Sequence, residues 1–198
     1  SPVLPDAQIE EFLRTARIAE AREIGKGTTG SVRATLENGT LTHDAHIQTV
    51  DVTKREFMAK GVVERNFRDS WRFNVAVYRL DRLLGLQLVP VSIERRWKGE
   101  AGAFTWWLDD IMMDEGGRLK KNLAAPDPAC WEEQADLVRM LDQLIDNADR
   151  NLGNLLITRI ATTPALHRGW FRYVFATFDA VLISFLVFAF GHPSLLVI

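Results

Sequence analysis

With 198 residues, of which 47% are hydrophobic and 25% charged, the chain can bury one sizeable core or two small lobes sharing a hinge. A net charge of −2 excludes nucleic-acid binding driven by a bulk basic surface. The single cysteine, Cys130, excludes an internal disulfide and leaves the compartment open.

The chain starts at Ser1 rather than methionine, as a fragment, a processed chain or a trimmed product would, so a missing signal peptide says nothing about export. Its six tryptophans are scattered over separate segments, which is the distribution of core-filling aromatics.

Taken in order, Pro5-Asp6 opens a helix with Asp6 as N-cap and Ile9, Phe12, Leu13 and Ala16 on one face, expected to end near Glu23. From Glu23 to Asp51 the pattern turns to strands, with Asn38-Gly39 marking a hairpin. Val52 to Asp69 is polar and irregular and reads as a loop with some helix. In "WRFNVAVYRLDRLLGL", Phe73, Ala76, Val77, Leu80, Leu83 and Leu84 recur at helical spacing, and Gly85 occupies the C-terminal cap position. "LQLVPVSIERRW" and "GAFTWWLDD" read as two strands joined at Lys98-Gly99. Asp109 to Asn122 passes from acidic to Gly-rich to basic, as a connection between lobes would. Asp127-Pro128 starts a helix with Gln134, Leu137, Val138, Leu141, Leu144 and Ile145 on one face. The order fits an α+β protein of two lobes, residues 1–110 and 111–198.

Two motifs carry chemistry. "GKGTTGSV", Gly25 to Val32, fits the G-x-G-x-x-G-x-V pattern of a phosphate-covering hairpin, where glycine lets backbone approach phosphate oxygens. Gly25, Lys26, Gly27, Thr28, Thr29 and Gly30 are its candidate cofactor-binding residues. The dinucleotide-binding version, which opens a helix, is excluded because these glycines lie between two strand-like runs. Taken alone the motif suits a plain hairpin tip equally well.

The second motif is "LIDNADRNLGNLLIT", Leu144 to Thr158, in which Asp149 precedes Asn154 by five positions. Kinase catalytic loops use that spacing, with the aspartate as base and the asparagine as magnesium ligand. The competing reading is a helix C-terminus with Asn and Asp in turn contacts. The two motifs in this order favour the catalytic one.

On these residues the sequence resembles the atypical kinase-fold proteins related to HipA, phosphoinositide kinases and secretory-pathway casein kinases, over roughly Glu23 to Thr158. Similar bacterial sequences share stretches like "FNVAVYRLDRLLGL" and "FTWWLDD". The resemblance implies a two-lobed kinase-like fold, ATP and Mg2+ as cofactors, Asp149 with Arg150 as the catalytic pair, Asn154 as metal ligand, and Gly25, Gly27 and Gly30 as phosphate cover. It also implies a hinge beside the adenine near Asp109 to Asp114, with Trp106 and Trp107 packed behind it.

The match departs in two places. Gln48 stands where the third-strand lysine is expected, and Asn74 where the following helix would carry its glutamate partner. Both are neutral and could bond to each other, while Lys26 or Lys54 would have to supply the lost charge. The tail after Thr158 offers only Asp179 as a second metal carboxylate, and an incidental aspartate is the stronger reading there. Val174 to Phe190 is almost wholly apolar, slightly short of the ~20 residues that span a bilayer. Core elements, membrane contact through 174–190, and an altered or truncated ending all fit it.

Other clusters read as structural: His43 and His46 as a solvent-facing pair, and Asp109, Asp110, Asp114 and Glu115 as a solvated acidic connection. Ser31 and Ser70 have no base partner. The expectation is an ATP-dependent phosphotransferase of unknown acceptor, with a nucleotide-binding pseudokinase or scaffold, and a membrane-associated or truncated inactive fragment, as alternatives.

Overall fold

A computed structural model describes residues 4–24, 31–59, 62–109, 111–125, 128–147, 152–159 and 171–175. It is an α+β structure in which every strand pairing is antiparallel.

Helix α1 spans Asp6–Thr15 and buries Ile9, Phe12 and Leu13, the expected face. It follows Pro5 at the N-cap position, with Asp6 in its first turn rather than capping by its side chain. It also stops earlier than expected. Ala16 is extended, and Arg17–Glu23 is a strand, β1, instead of further helix. Its Ala, Glu and Arg residues favour helix in isolation. Pairing with β2, Val32–Glu37, overrides that preference along the register Arg17↔Glu37 to Glu23↔Val32. Charged residues also suit β1's place at the sheet edge.

The Asn38-Gly39 turn joins β2 to β3, Thr42–Gln48, as its dipeptide predicts. Gly39 has φ +87°, and the Asn38 side chain accepts from the Thr40 and Leu41 N–H groups. Two more strands complete this sheet: β6, Ser92–Trp97, and β7, Glu100–Trp106, joined at Lys98-Gly99 as expected. The order is β1-β2-β3-β7-β6.

Between β3 and α2 the chain leaves this sheet. The segment read as a loop is a two-stranded ribbon, β4 (Asp51–Ala59) and β5 (Val62–Ser70), paired from Asp51↔Ser70 to Ala59↔Val62. Most described side chains of this ribbon are exposed on both faces, so no in–out alternation marks it in sequence. Phe57 stacks on Phe67 at 4.3 Å between ring centres and gives it a local apolar contact.

Helix α2, Arg72–Leu83, lies where its periodicity puts it, but its buried face is rotated. Phe73, Asn74, Val75, Val77, Tyr78 and Asp81 are inside, whereas Ala76, Leu83 and Leu84 are exposed. Fully buried Asp81 accepts from Leu88 N–H at 2.7 Å and pairs with Arg82, and Gly85 turns the chain at φ +69°. A helix face carrying a satisfied aspartate can be buried as well as an apolar one.

The expected connection after Asp109 is structured: β8, Ile111–Asp114, then the short helix α3, Glu115–Lys120. Helix α4, Pro128–Leu144, buries Trp131, Gln134, Val138 and Leu141, while Leu137 and Leu144 are largely exposed. A 3-10 turn, Leu152–Asn154, leads into β9, Leu155–Arg159, and β10, Phe171–Phe175, pairs on its far side to give the order β10-β9-β8.

One continuous apolar core includes Phe12, Leu13, Leu36, Ile47, Phe104 and Trp106 beside α1, and Leu141, Ile145, Leu155 and Ile157 around α4 and β9. Trp71, Trp106 and Trp131 are buried, which is core filling as expected.

Candidate functional site

Strand alternation sorts the five-stranded sheet into two faces. Ala34, Leu36, Ala45, Ile47, Phe104 and Trp106 form the apolar face against which α1 packs, with Phe12 edge-on to Trp106 at 5.8 Å. The opposite residues of the same strands form a polar row: Arg33, Thr35, Asp44, His46, Gln48 and Thr105. His46, Gln48 and Thr105 in this row are buried and Arg33, Thr35 and Asp44 half-buried, and polar groups so placed are held by hydrogen bonds.

Asp44 is its centre, accepting from Thr35 Oγ1 at 2.7 Å and from Arg33 Nε at 2.6 Å. Burial pushes the Asp44 carboxyl up, but the hydrogen bonds from Thr35 and Arg33 and the guanidinium charge outweigh it and hold it below its ordinary value. Arg33 also lies over the Trp107 ring at 4.1 Å. Ser92 Oγ and Thr105 Oγ1 share a hydrogen bond of 2.9 Å. His46 is 1% exposed, and burial alone depresses its pKa to about 4.

His43 and His46 are therefore not the solvent-facing pair expected; both are buried, on opposite faces of β3. His43 stacks on Trp106 with ring centres 3.5 Å apart. Its Nδ1 lies 2.8 Å from the Asp44 carbonyl, and its Nε2 2.9 Å from Asp109 Oδ2. Two acceptors around the ring favour the imidazolium, yet desolvation prevails and lowers the pKa, because Asp109 is 42% exposed and its charge is screened by water. The pair ties the chain leaving β7 to β3, reinforced by Trp107 N–H donating to the Asp44 carbonyl at 3.1 Å.

The acidic connection is likewise structural rather than merely solvated. Asp109 holds His43, Asp114 accepts from Gly117 N–H to cap α3, and buried Glu115 pairs with Arg118. Asp110 lies outside the described residues.

The predicted cofactor residues fall in two groups. Gly25, Lys26, Gly27, Thr28, Thr29 and Gly30 lie outside the described residues, but their anchors do not. β1 and β2 stay paired up to Glu23↔Val32, and Ile24 N–H donates to Ser31 O at 2.8 Å. The Gly-rich segment is therefore the link of a closed antiparallel hairpin.

Gln48 ends β3 and is buried, its Oε1 accepting from Val50 N–H at 3.2 Å. Two residues on, Val50 O accepts from Trp71 N–H at 2.8 Å, at the start of α2. Gln48's cross-strand neighbour, Ala103, packs against Trp71 and Val75 of that helix, on either side of buried Asn74. The sequence-predicted pair is thus carried to one end of the sheet by a direct backbone link. Close approach is visible here too: a Cβ on Gly102 would meet Gln48 O at 2.7 Å.

Asn154 ends the 3-10 turn, which packs on α3: a Cβ on Gly116 would lie 3.5 Å from Leu152 Cβ. Below it, Asp114 pairs in register with Leu156. Upstream, Ile145 closes the helical run by its N–H bond to Leu141 O, and Asn147 is held by Asp142, with N–H to Asp142 O and Nδ2 to Oδ1 both at 2.8 Å. Both ends of the polar loop are therefore anchored, as expected from its apolar flanks. Asp149, Arg150 and Asp179 lie outside the described residues.

What sequence reasoning missed is the Arg33–Thr35–Asp44 network and the His43–Asp109 tie. The network's one sequence signal is polar residues at alternate positions of strands whose other face is apolar, and the His43–Asp109 tie has none. Neither a protein-family model nor a curated protein matches the chain.

Proposed function

We propose that the chain is an ATP-dependent phosphotransferase of the atypical kinase type, with the two lobes of that fold meeting along the connection near Asp109 to Asp114. The observation that carries the reading is the closed β1–β2 hairpin. Its Gly25–Gly30 link adjoins β3, which ends at Gln48, and two residues further on Val50 O accepts from Trp71 N–H at the start of α2. A glycine-rich link between paired strands, followed by a third strand and a helix, covers and positions nucleotide phosphates in kinases, and here the β4–β5 ribbon is inserted between that strand and that helix. Alternation puts Arg33 on Gln48's side of the sheet, so this half-buried guanidinium would face the nucleotide cleft, while His46 and Thr105 on the same side are buried.

In that cleft an acceptor hydroxyl attacks the γ-phosphorus, the bond to ADP breaks, and Asp149 takes the hydroxyl proton. Catalysis of this kind rests on positioning and on charge neutralisation. Magnesium enters the reading through Asn154. The described residues do not build its site: no group of three or more His, Cys, Asp or Glu gathers among them, and Asp114 and Glu115 are engaged within α3.

A nucleotide-binding pseudokinase is the second reading. It is favoured by Gln48, a neutral group at the lysine position whose side-chain oxygen is already bonded to Val50 N–H. A membrane role for 174–190 finds no support in the strand Phe171–Phe175, and the rest of that segment lies outside the described residues.

Thermal-shift titration with ATP, with and without magnesium, separates these. Magnesium-dependent stabilisation, with transfer lost but binding kept in Asp149→Ala, is expected of the phosphotransferase. Metal-indifferent stabilisation without transfer would mark the pseudokinase, and no response to ATP defeats both.

A further inference from the structure

Strand β6 is the outer strand opposite β1 in its sheet, and α1 and α2 flank it. Tyr78 OH donates to Glu10 Oε1 at 2.8 Å, and Arg82 Nε to Asp6 Oδ2 at 2.5 Å, so the two helices are fixed to each other. Between them and β6 lies a cavity of about 410 Å3, within the range of small-ligand sites.

Its lining carries Arg14, Arg79, Arg95 and Arg96 against Glu10 and Glu94, four positive charges to two negative. The surplus of two stands out in a chain whose net charge is −2. The local bonds reduce that surplus to one, because Glu11, outside the lining, pairs with Arg14. Glu10 is taken by Tyr78, with Arg14 3.7 Å away, and Arg14 is closer to Glu11, at 2.9 Å. Arg95 donates only to carbonyls, Leu13 O and Ala16 O at 2.8 Å each, so it holds the end of α1 without meeting a carboxylate. Arg96 donates to Gly99 O at 3.3 Å. Among the described residues neither Arg79 nor Arg96 is ion-paired, although Glu94 is on the same strand.

We propose that this cavity is a binding site for a small ligand bearing phosphate or carboxylate groups, separate from the nucleotide cleft proposed above. Arg79 and Arg96 supply the recognising guanidiniums. Planar guanidinium forks bind such oxyanions through paired, charge-assisted hydrogen bonds, and arginine is the residue best suited to that geometry. Arg95, already fixed by two carbonyls, adds a positive charge that is held in place before the ligand arrives. Because it also ties α1 to β6, a ligand here would stiffen the α1–α2–β6 corner.

The probes are inorganic pyrophosphate and citrate, titrated by calorimetry and thermal shift at constant ionic strength set with sodium chloride. Binding is expected to weaken at least tenfold in Arg79→Ala/Arg96→Ala, to weaken less in Arg79→Lys, and to tighten in Glu94→Gln. It should persist in Asn154→Ala and with saturating adenosine, which carries no phosphate, and this separates it from the nucleotide cleft. Both arginines lie at the cavity rim, and far-UV circular dichroism of the double variant checks that it folds. Failure of both anions to bind above the chloride baseline would overturn the proposal. So would equal affinity in the double variant, or full competition by adenosine.

Discussion

Protonating His46 should destabilise the fold. The ring is 1% exposed, and burial lowers its pKa from 6.5 to about 4. Between those values the unfolded chain holds a proton that the folded chain does not, so stability is complete above pH 6.5 and falls as pH drops towards 4. At pH 5 the difference in proton binding is worth about 2 kcal/mol, and near pH 4 it approaches about 3 kcal/mol. Against a typical domain stability of roughly 5–15 kcal/mol this is a large share. His43, also lowered by burial, acts in the same direction, whereas Asp44 and Asp51, with carboxyls held low, contribute only as pH falls through and below the ordinary carboxylate range. Urea melts of the parent and of His46→Leu at pH 7.5 and 5.0 isolate the one residue. The variant should lose about 2 kcal/mol less over that interval. An NMR titration in which the His46 ring protonates near pH 6.5, or an identical loss in both proteins, would refute the argument.

Two further substitutions test the packing. Gly102→Ala should cost about 1–3 kcal/mol, because its Cβ would lie 2.7 Å from a backbone oxygen that cannot swing away. Equal denaturation midpoints would contradict it. Asp81→Ala should cost about 3–5 kcal/mol in the same melts, since it strips the partner from Leu88 N–H and leaves the half-buried Arg82 with one carboxylate fewer. A loss under 1 kcal/mol would show that Arg82 and the turn after α2 hold without it.

The candidate site was legible in part. The Gly-rich hairpin, the Gln48 strand, the helix bearing Asn74 and the anchored loop before Asn154 follow from turn residues and periodicity. Those signals are local, and here the tertiary contacts agree with them. The His43–Asp109 tie was not legible, because it joins residues 66 positions apart whose nearness depends on β3 pairing with β7. Histidines three apart on a strand also fall on opposite faces, so their spacing never described a common environment.

Sequence alone determined where the chain turns and which runs form α1, the β2–β3 and β6–β7 hairpins, α2 and α4. In those segments, glycine geometry and apolar spacing act over a few residues. Tertiary structure decided the rest. β1 carries helix-forming residues but becomes a strand because β2 offers its open edge. The β4–β5 ribbon has two wet faces and so no alternation to read. The buried side of α2 takes in Asp81, satisfied by Leu88 N–H, and leaves Leu83 and Leu84 exposed, because packing against β6 and β7 and not the recurrence of leucines sets it. Pairing and burial are properties of neighbours distant along the chain, and no window of sequence contains them.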